Sequence, residues 1–165
     1  MLYSRQIETP LGTMFAIANN EALLVLDFVE GKNFLKHKNQ FQNITEQSNL
    51  VLEQTEQELI KYFKGELKEF SIPIKFTGTD FQQEVWKEIQ KIPYGTTISY
   101  AKEAANLHVP RSVRAVANAN GQNKISIIVP CHRIIGTDGS LTGYASGVER
   151  KKCLLELENI TLSQA

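Results

Sequence analysis

The chain has 165 residues, enough for one domain or two small ones, and its 42% hydrophobic and 22% charged content excludes wholesale disorder. No apolar run is long enough to span a bilayer. The formal net charge is zero, which by itself argues against a nucleic-acid binder, but the charge is unevenly spread: residues 1–80 hold 8 basic and 11 acidic side chains, residues 81–165 hold 10 and 7.

In chain order, residues 3–8 alternate as a strand, and Thr9-Pro10-Leu11-Gly12 marks a turn. A second apolar run covers 14–18, and after the turn Asn19-Asn20-Glu21 a third strand covers 22–29, completing an antiparallel meander. Residues 31–47 are polar and read as a loop around a short helix at 32–38. Leu52, Thr55, Leu59, Tyr62 and Phe63 recur at helical spacing, predicting a helix over 49–64 stopped by Gly65. Residues 71–76 read as an edge strand interrupted at Pro73. The pattern changes near Thr77-Gly78-Thr79, so domains are expected over 1–78 and 79–165.

The second half reads as mostly helical. Asp80 and Gln83 suggest a capping box, with Phe81, Val85, Trp86 and Ile89 as the buried stripe. Ser99 caps a helix over 100–106. After the break at His108-Val109-Pro110, Pro110 opens a helix over 111–120, a helix-turn-helix pattern. Residues 126–129 form a short apolar, strand-like run, 136–147 a glycine-rich loop, and 147–160 the last helix.

Cys131 stands first among residues able to carry chemistry. A nearby His⁺ or Arg⁺ favours a thiolate, and His132 and Arg133 follow it directly. Neighbours in an extended chain point to opposite faces, so His132 serves Cys131 only where the chain turns or a water bridges them; the alternative is a buried structural cysteine. In the helix over 111–120, Val113, Val116 and Ala117 share one face and Arg111, Arg114 and Asn118 another, with Ser112, Ala115 and Ala119 between. Small side chains beside a basic face allow close approach to a phosphate backbone; the alternative is a solvated amphipathic helix. Lys102, Lys124 and Arg133 add to the basic count of residues 100–133, against Glu103 alone. Glu158 shares a face with Leu154 and Leu155. It is either a buried carboxylate needing a partner, for which His132 is suited, or the solvated end of a frayed helix. His37 and His108 read as surface residues and Cys153 as a core residue, and none of them makes metal-ligand spacing. Two cysteines make no disulfide framework, and with no apolar signal core at the N-terminus the expectation is a cytoplasmic protein with reduced thiols.

Taken together, Ile127-Ile128-Val129-Pro130-Cys131-His132-Arg133 resembles the active-site signature of the O6-alkylguanine-DNA alkyltransferases, or methylated-DNA–protein-cysteine methyltransferases. The similarity continues through Phe81-Gln82, Val85-Trp86, Ile92-Pro93-Tyr94-Gly95, Ser99-Tyr100, Arg114-Ala115-Val116, Asn123, Gly143-Tyr144, and Leu154-Leu155 with Glu158. It covers residues 80–160 specifically and Thr9-Pro10-Leu11-Gly12 loosely.

The resemblance implies an α+β protein. A ribonuclease-H-like N-terminal α/β sheet domain would precede a helical, winged-helix-like helix-turn-helix domain. The protein would bind double-stranded DNA through the minor groove as a monomer, flip an alkylated guanine into a pocket and take the alkyl group irreversibly on cysteine. By the resemblance, Cys131 would be the acceptor, His132 held by Glu158 would remove the thiol proton through a water, Tyr100 would protonate the leaving guanine, and Asn123 would hold the turn before the nucleophile. Arg114 would fill the gap in the base stack, with Arg111, Ser112, Ala115, Lys124 and Arg133 at the DNA surface. Tyr144, the backbone around Ala145 and the carbonyl of Ile134 would form the base pocket. Two departures from the family pattern stand out: Ala145 replaces the usual serine after the pocket tyrosine, and Lys124 replaces a common proline. Residues 1–80 contain no cysteine and only His37, so neither the structural zinc of some relatives nor any cofactor is expected. A lesion sensor without chemistry, a thiol hydrolase and a sequence-reading transcription factor are the rival readings.

Overall fold

The computed structural model describes residues 1–159 and falls into two units, Met1–Thr77 and Gly78 onward. In the first unit, β1 (Leu2–Thr9), β2 (Gly12–Ala18) and β3 (Leu23–Phe28) form the expected antiparallel meander, with Tyr3 opposite Ala18 and Ala16 opposite Leu26. All six residues of β3 are buried, the carboxylate of Asp27 included, so both of its faces are covered and burial does not alternate along it. A short helix α1 (Phe34–Lys38) follows, then a two-residue strand β4 (Ile44–Thr45) parallel to β1, giving the order β3-β2-β1-β4. The strand β4 lies inside the segment read as a loop. Two residues carry no periodicity, so only pairing with Leu2 and Tyr3 reveals it.

The helix α2 (Leu50–Phe63) lays Val51, Leu52, Thr55, Leu59 and Tyr62 against the sheet. Asn49 caps it by accepting from the Leu52 amide at 2.9 Å, and Gly65 ends it at φ +75°. Residues 71–76 do not form the expected edge strand. They make one parallel bridge, Leu23 to Ile74, where the Leu23 amide donates to Pro73 O and the Lys75 amide donates to Leu23 O. Pro73 has no N–H with which to extend the ladder. The segment is tied instead to Glu58, which accepts from the Ser71 amide at 2.8 Å and hydroxyl at 2.7 Å. His37, expected at the surface, is buried beside Asp27 at 3.5 Å.

In the second unit α3 (Asp80–Ile89) is capped by Thr79, not Asp80. Thr79 Oγ1 accepts from the Gln82 amide at 3.1 Å and the Gln82 side chain accepts from the Thr79 amide at 3.1 Å. Phe81, in the first turn, is exposed, while Val85, Trp86 and Ile89 are fully buried. Each such burial stabilises by roughly 1.5–3 kcal/mol. The strand β5 (Ile98–Ser99) leads into α4 (Tyr100–Asn106), whose cap Ser99 accepts from the Lys102 amide at 3.0 Å. The helix α4 ends in a Schellman turn: the His108 amide bonds Ala105 O and the Val109 amide bonds Ala104 O, with His108 at φ +62°. This turn, rather than Pro110, reverses the chain, and α5 (Val113–Gly121) begins three residues after Pro110. Trp86 Nε1 donates 2.9 Å to Ala119 O and fastens α3 to α5.

Residues 126–129 are a turn, not a strand. The Val129 amide bonds Ile125 O, and buried Ile127 takes φ +72°. A single 3-10 turn, Cys131–Arg133, then delivers β6 (Ile134–Ile135), parallel to β5. The last helix α6 (Val148–Leu157) starts at Gly147, φ +99°, and buries Lys151, Leu154 and Leu155. The expected helix end at Ile160 lies outside the described residues. Cys153, expected in the core, is exposed.

Candidate active site

Cys131 opens the 3-10 turn on the floor of a cleft of about 330 Å³, open mouth included. The wall is formed by Tyr100 of α4, Asn120 of α5, Asn123 and Ser126 of the following turn, and Gly143 to Ser146 of the glycine-rich loop. The thiol is partly exposed. Asn123 organises the approach to it. Its Nδ2 donates to Val129 O at 2.9 Å and to Cys131 Sγ at 3.2 Å, while its Oδ1 accepts from the Ile125 amide at 2.9 Å. Three bonds from one side chain hold a turn in which the β-branched Ile127 adopts a left-handed conformation, a strain of about 1–3 kcal/mol.

The chain turns at Cys131, so His132 does not simply point away as it would from a strand. His132 is fully buried, and its Nε2 lies 2.6 Å from Glu158 Oε2. A carboxylate can only accept, so Nε2 carries the proton and Nδ1 presents a lone pair. That Nδ1 is buried without a hydrogen-bond partner. Burial pushes the imidazole pKa below its ordinary value, with Glu158 pulling the other way and Arg133 and Lys151 adding to the fall. The imidazole is therefore neutral near pH 7 and has a free acceptor.

Glu158, just past the end of α6, is 1% exposed. Arg133 holds its other side: Nε donates to Oε1 at 2.7 Å and Nη2 to Oε2 at 3.2 Å, while Nη1 donates to Ile92 O at 2.7 Å. Arg133 is thus a buried structural cation and does not form part of a DNA surface. Lys124, also expected there, is buried as well. Both corrections follow from the turn geometry, because residues 123–134 pack inward around Cys131. Arg111, Arg114, Ala115 and Asn118 are exposed, and Ser112 is half-buried at the start of α5. The basic surface expected over residues 100–133 therefore narrows to Lys102, Arg111 and Arg114.

Tyr100 donates to Thr142 O at 3.2 Å and Gly143 O at 3.3 Å. Burial first, then negative charge at Cys131 and Glu103, pushes its pKa up to about 12, so it stays a phenol with a proton to give. Tyr144 and Ala145 line the cleft. The Ile134 side chain is buried and the residue belongs to β6, while the expectation for Ile134 concerns its backbone carbonyl.

Sequence reading missed Lys151. It is fully buried, donates 2.8 Å to Thr142 O and lies 5.8 Å from the centre of the Tyr100 ring. Burial lowers its pKa to about 8, while negative charge at Cys131 raises it. The signal was present: Lys151 precedes Leu154, Leu155 and Glu158 by three, four and seven residues, one helical face. Asn120 was missed too, although it follows buried Val116 by four. Among the described residues, no group of three His, Cys, Asp or Glu side chains converges as a metal site.

Comparison with known proteins gives two family matches. Residues 80–160 match the family described as 6-O-methylguanine DNA methyltransferase, DNA binding domain, and residues 2–76 match 6-O-methylguanine DNA methyltransferase, ribonuclease-like domain. A constitutive methylated-DNA–protein-cysteine methyltransferase from Bacillus subtilis is 42% identical, with 99% of each chain covered. A methylated-DNA–protein-cysteine methyltransferase from Methanosarcina barkeri is 40% identical over 98% of this chain and 99% of its own. The crystal structure of Mycobacterium tuberculosis OGT in complex with DNA superposes with a TM-score of 0.86 at 41% identity, covering 94% of this chain and 92% of that one. The architecture is accordingly α+β, with a ribonuclease-like first domain and a helical DNA-binding second domain.

Proposed function

The chain belongs to the 6-O-methylguanine DNA methyltransferase family, and from that premise we propose that it repairs DNA by moving the alkyl group of O6-alkylguanine onto Cys131, once per molecule. The observation that carries the assignment of roles is the pairing of His132 with Glu158 beside Cys131, which leaves a neutral imidazole with an open Nδ1.

In this reading the Cys131 thiol proton passes through a water to His132 Nδ1, and Glu158 stabilises the resulting imidazolium through Nε2–H. The thiolate attacks the alkyl carbon in line. The S–C bond forms as the C–O6 bond breaks, and the electron pair leaves with guanine, whose ring accepts the Tyr100 proton. The product is a thioether, which no group in the cleft can cleave, so the reaction stops at one equivalent. The target carbon is inaccessible inside a duplex, so the base must be extruded into the cleft, with Tyr144 and the Ala145 backbone against it. Arg114, exposed on α5 beside Ala115, fills the vacated stack from the minor groove. Arg111 and Ser112 contact the phosphates alongside.

The reading includes a division of labour, with residues from 79 onward binding DNA and carrying the chemistry. Every polar group of the relay comes from one chain, which suits a monomer. Cys131 must stay reduced to act, which suits a cytoplasmic location; among the described residues no helix is long and apolar enough to cross a membrane.

The test is stoichiometry. Incubated with duplex DNA carrying O6-methylguanine, the protein gains one methyl mass on the peptide containing Cys131, and Cys131→Ala binds the same DNA without transfer. Turnover beyond one equivalent would point to a hydrolase, and binding without transfer by the wild type to a lesion sensor.

A further inference from the structure

A carboxyl group without a counter-cation is buried inside the helix-turn-helix. Glu103 of α4 is fully buried, and its Oε1 accepts 2.7 Å from Nδ2 of Asn120 on α5. The other two atoms of this pair, Glu103 Oε2 and Asn120 Oδ1, are both buried without a hydrogen-bond partner. Two acceptor oxygens cannot satisfy each other, and leaving both bare is costly. A single proton removes both defects. A carboxylic acid and a primary amide are complementary planar groups: the amide N–H donates to the acid carbonyl and the acid O–H donates to the amide oxygen.

We propose that Glu103 is kept as the neutral acid, donating from Oε2 to Asn120 Oδ1, and that this two-bond ring makes it a positioning residue for alkyl transfer by fixing the Asn120 amide in the wall of the Cys131 cleft. The inference rests on the function proposed above, because the cleft is taken to be the base pocket.

The surroundings favour the acid. From α3, Glu88 faces the pair and adds a like charge, although it is itself paired with Lys91 at 3.0 Å. The only charged residue of α5 is Arg114, which is exposed, and β5 has no titratable side chain. On α4 itself Tyr100 senses the charge of Glu103, while Lys102 is exposed. Burial first, then Glu88, raises the Glu103 pKa to about 7 against the pull of the Asn120 bond. Neutrality also serves the chemistry: an ionised Glu103 would make Tyr100 a poorer acid and set a second negative charge near the thiolate.

Glu103→Gln tests this directly, because glutamine reproduces the acid's pattern of one donor and one acceptor at every pH. Single-turnover transfer from O6-methylguanine duplex is followed between pH 6 and 9 with both full-length proteins, and the carboxyl resonance of Glu103 is followed in ¹³C-glutamate-labelled wild type. The rates should agree near pH 6, and the wild type should fall behind the variant by about tenfold or more at pH 9, as the carboxyl titrates near neutrality. The resonance should titrate in the same range. A rate ratio that stays flat across the range, or a resonance already ionised at pH 6, overturns the proposal. Absence of transfer by both proteins at every pH would overturn the functional reading instead, and the resonance would still decide where the proton sits.

Discussion

Glu158→Gln removes one charge and almost no volume from the buried centre of the relay. Both carboxylate oxygens are engaged: Oε1 by Arg133 Nε at 2.7 Å, and Oε2 by His132 Nε2 at 2.6 Å and Arg133 Nη2 at 3.2 Å. Glutamine has one acceptor oxygen, and its NH2 must face either the guanidinium or the imidazole N–H. Arg133 then remains a nearly buried cation with no counter-charge, since Ile92 O is neutral. Breaking a buried ion pair in this way costs about 3–5 kcal/mol, a large share of a domain stability of about 5–15 kcal/mol. The urea midpoint should drop accordingly at pH 7.5 with an unchanged m-value. The chemistry should suffer separately. The carboxylate is what favours the imidazolium against burial, and without it His132 becomes a weaker base. Single-turnover transfer should slow by about 100-fold or more, the usual weight of a positioned general base. A stability change below about 1 kcal/mol, the value of a solvent-exposed pair, or an unaltered transfer rate, would refute the coupling of Arg133, Glu158 and His132 into one unit.

Asn123→Ala should lower the urea midpoint by about 2–4 kcal/mol equivalent, because it frees two buried backbone groups at a strained turn. It should also slow transfer, and retention of wild-type stability would count against Asn123 as the clasp. Trp86→Phe removes the bond to Ala119 O and should cost about 1–3 kcal/mol in denaturant unfolding; a neutral result would mean α3 and α5 are held by apolar packing alone. Arg114→Ala should lower the slope of log affinity against log salt by about one and slow transfer from duplex DNA more than from the free alkylated base, whereas an equal loss on both substrates would argue against a role in extrusion. For acid stability, the depressed His132 pKa means the unfolded chain binds more protons just below pH 6.5, so stability falls as pH drops through that window. For Glu103 the sign is opposite. With a folded pKa of about 7, stability falls as pH rises from about 4.5 to 7, by about 3 kcal/mol in all. Thermal unfolding of Glu103→Gln against wild type from pH 5 to 8 should show the variant gaining across that range, and a constant difference would exclude the buried acid.

The meander, α2, α4 and the helix-turn-helix were legible because their signals are local: strand alternation, helical spacing at Leu52, Leu59 and Tyr62, and the Ser99 cap. Spacing alone left Cys131 and Glu158 with structural alternatives, and the family resemblance singled them out; the structure then places His132 Nε2 against Glu158. Several placements were not legible. The pattern Asp80 to Gln83 mimics a capping box as well as Thr79 to Gln82 does, and only backbone geometry decides between them. The apolar run at 126–129 has strand composition but is a turn, because Asn123 supplies the bonds that a partner strand would otherwise give.

The chain alone determined which atoms are available: one nucleophilic thiol in a Pro130-Cys131-His132-Arg133 run, one imidazole beside it, and a carboxylate twenty-six residues later on an apolar helical face. Whether those atoms meet, and with which charges, was decided by tertiary packing. Arg133 looks the same in sequence as Arg114, yet one is sealed against Glu158 and the other is exposed on α5. Sequence fixes the chemical identity of a side chain, while its protonation and its partners depend on desolvation and on neighbours brought close only when the backbone folds.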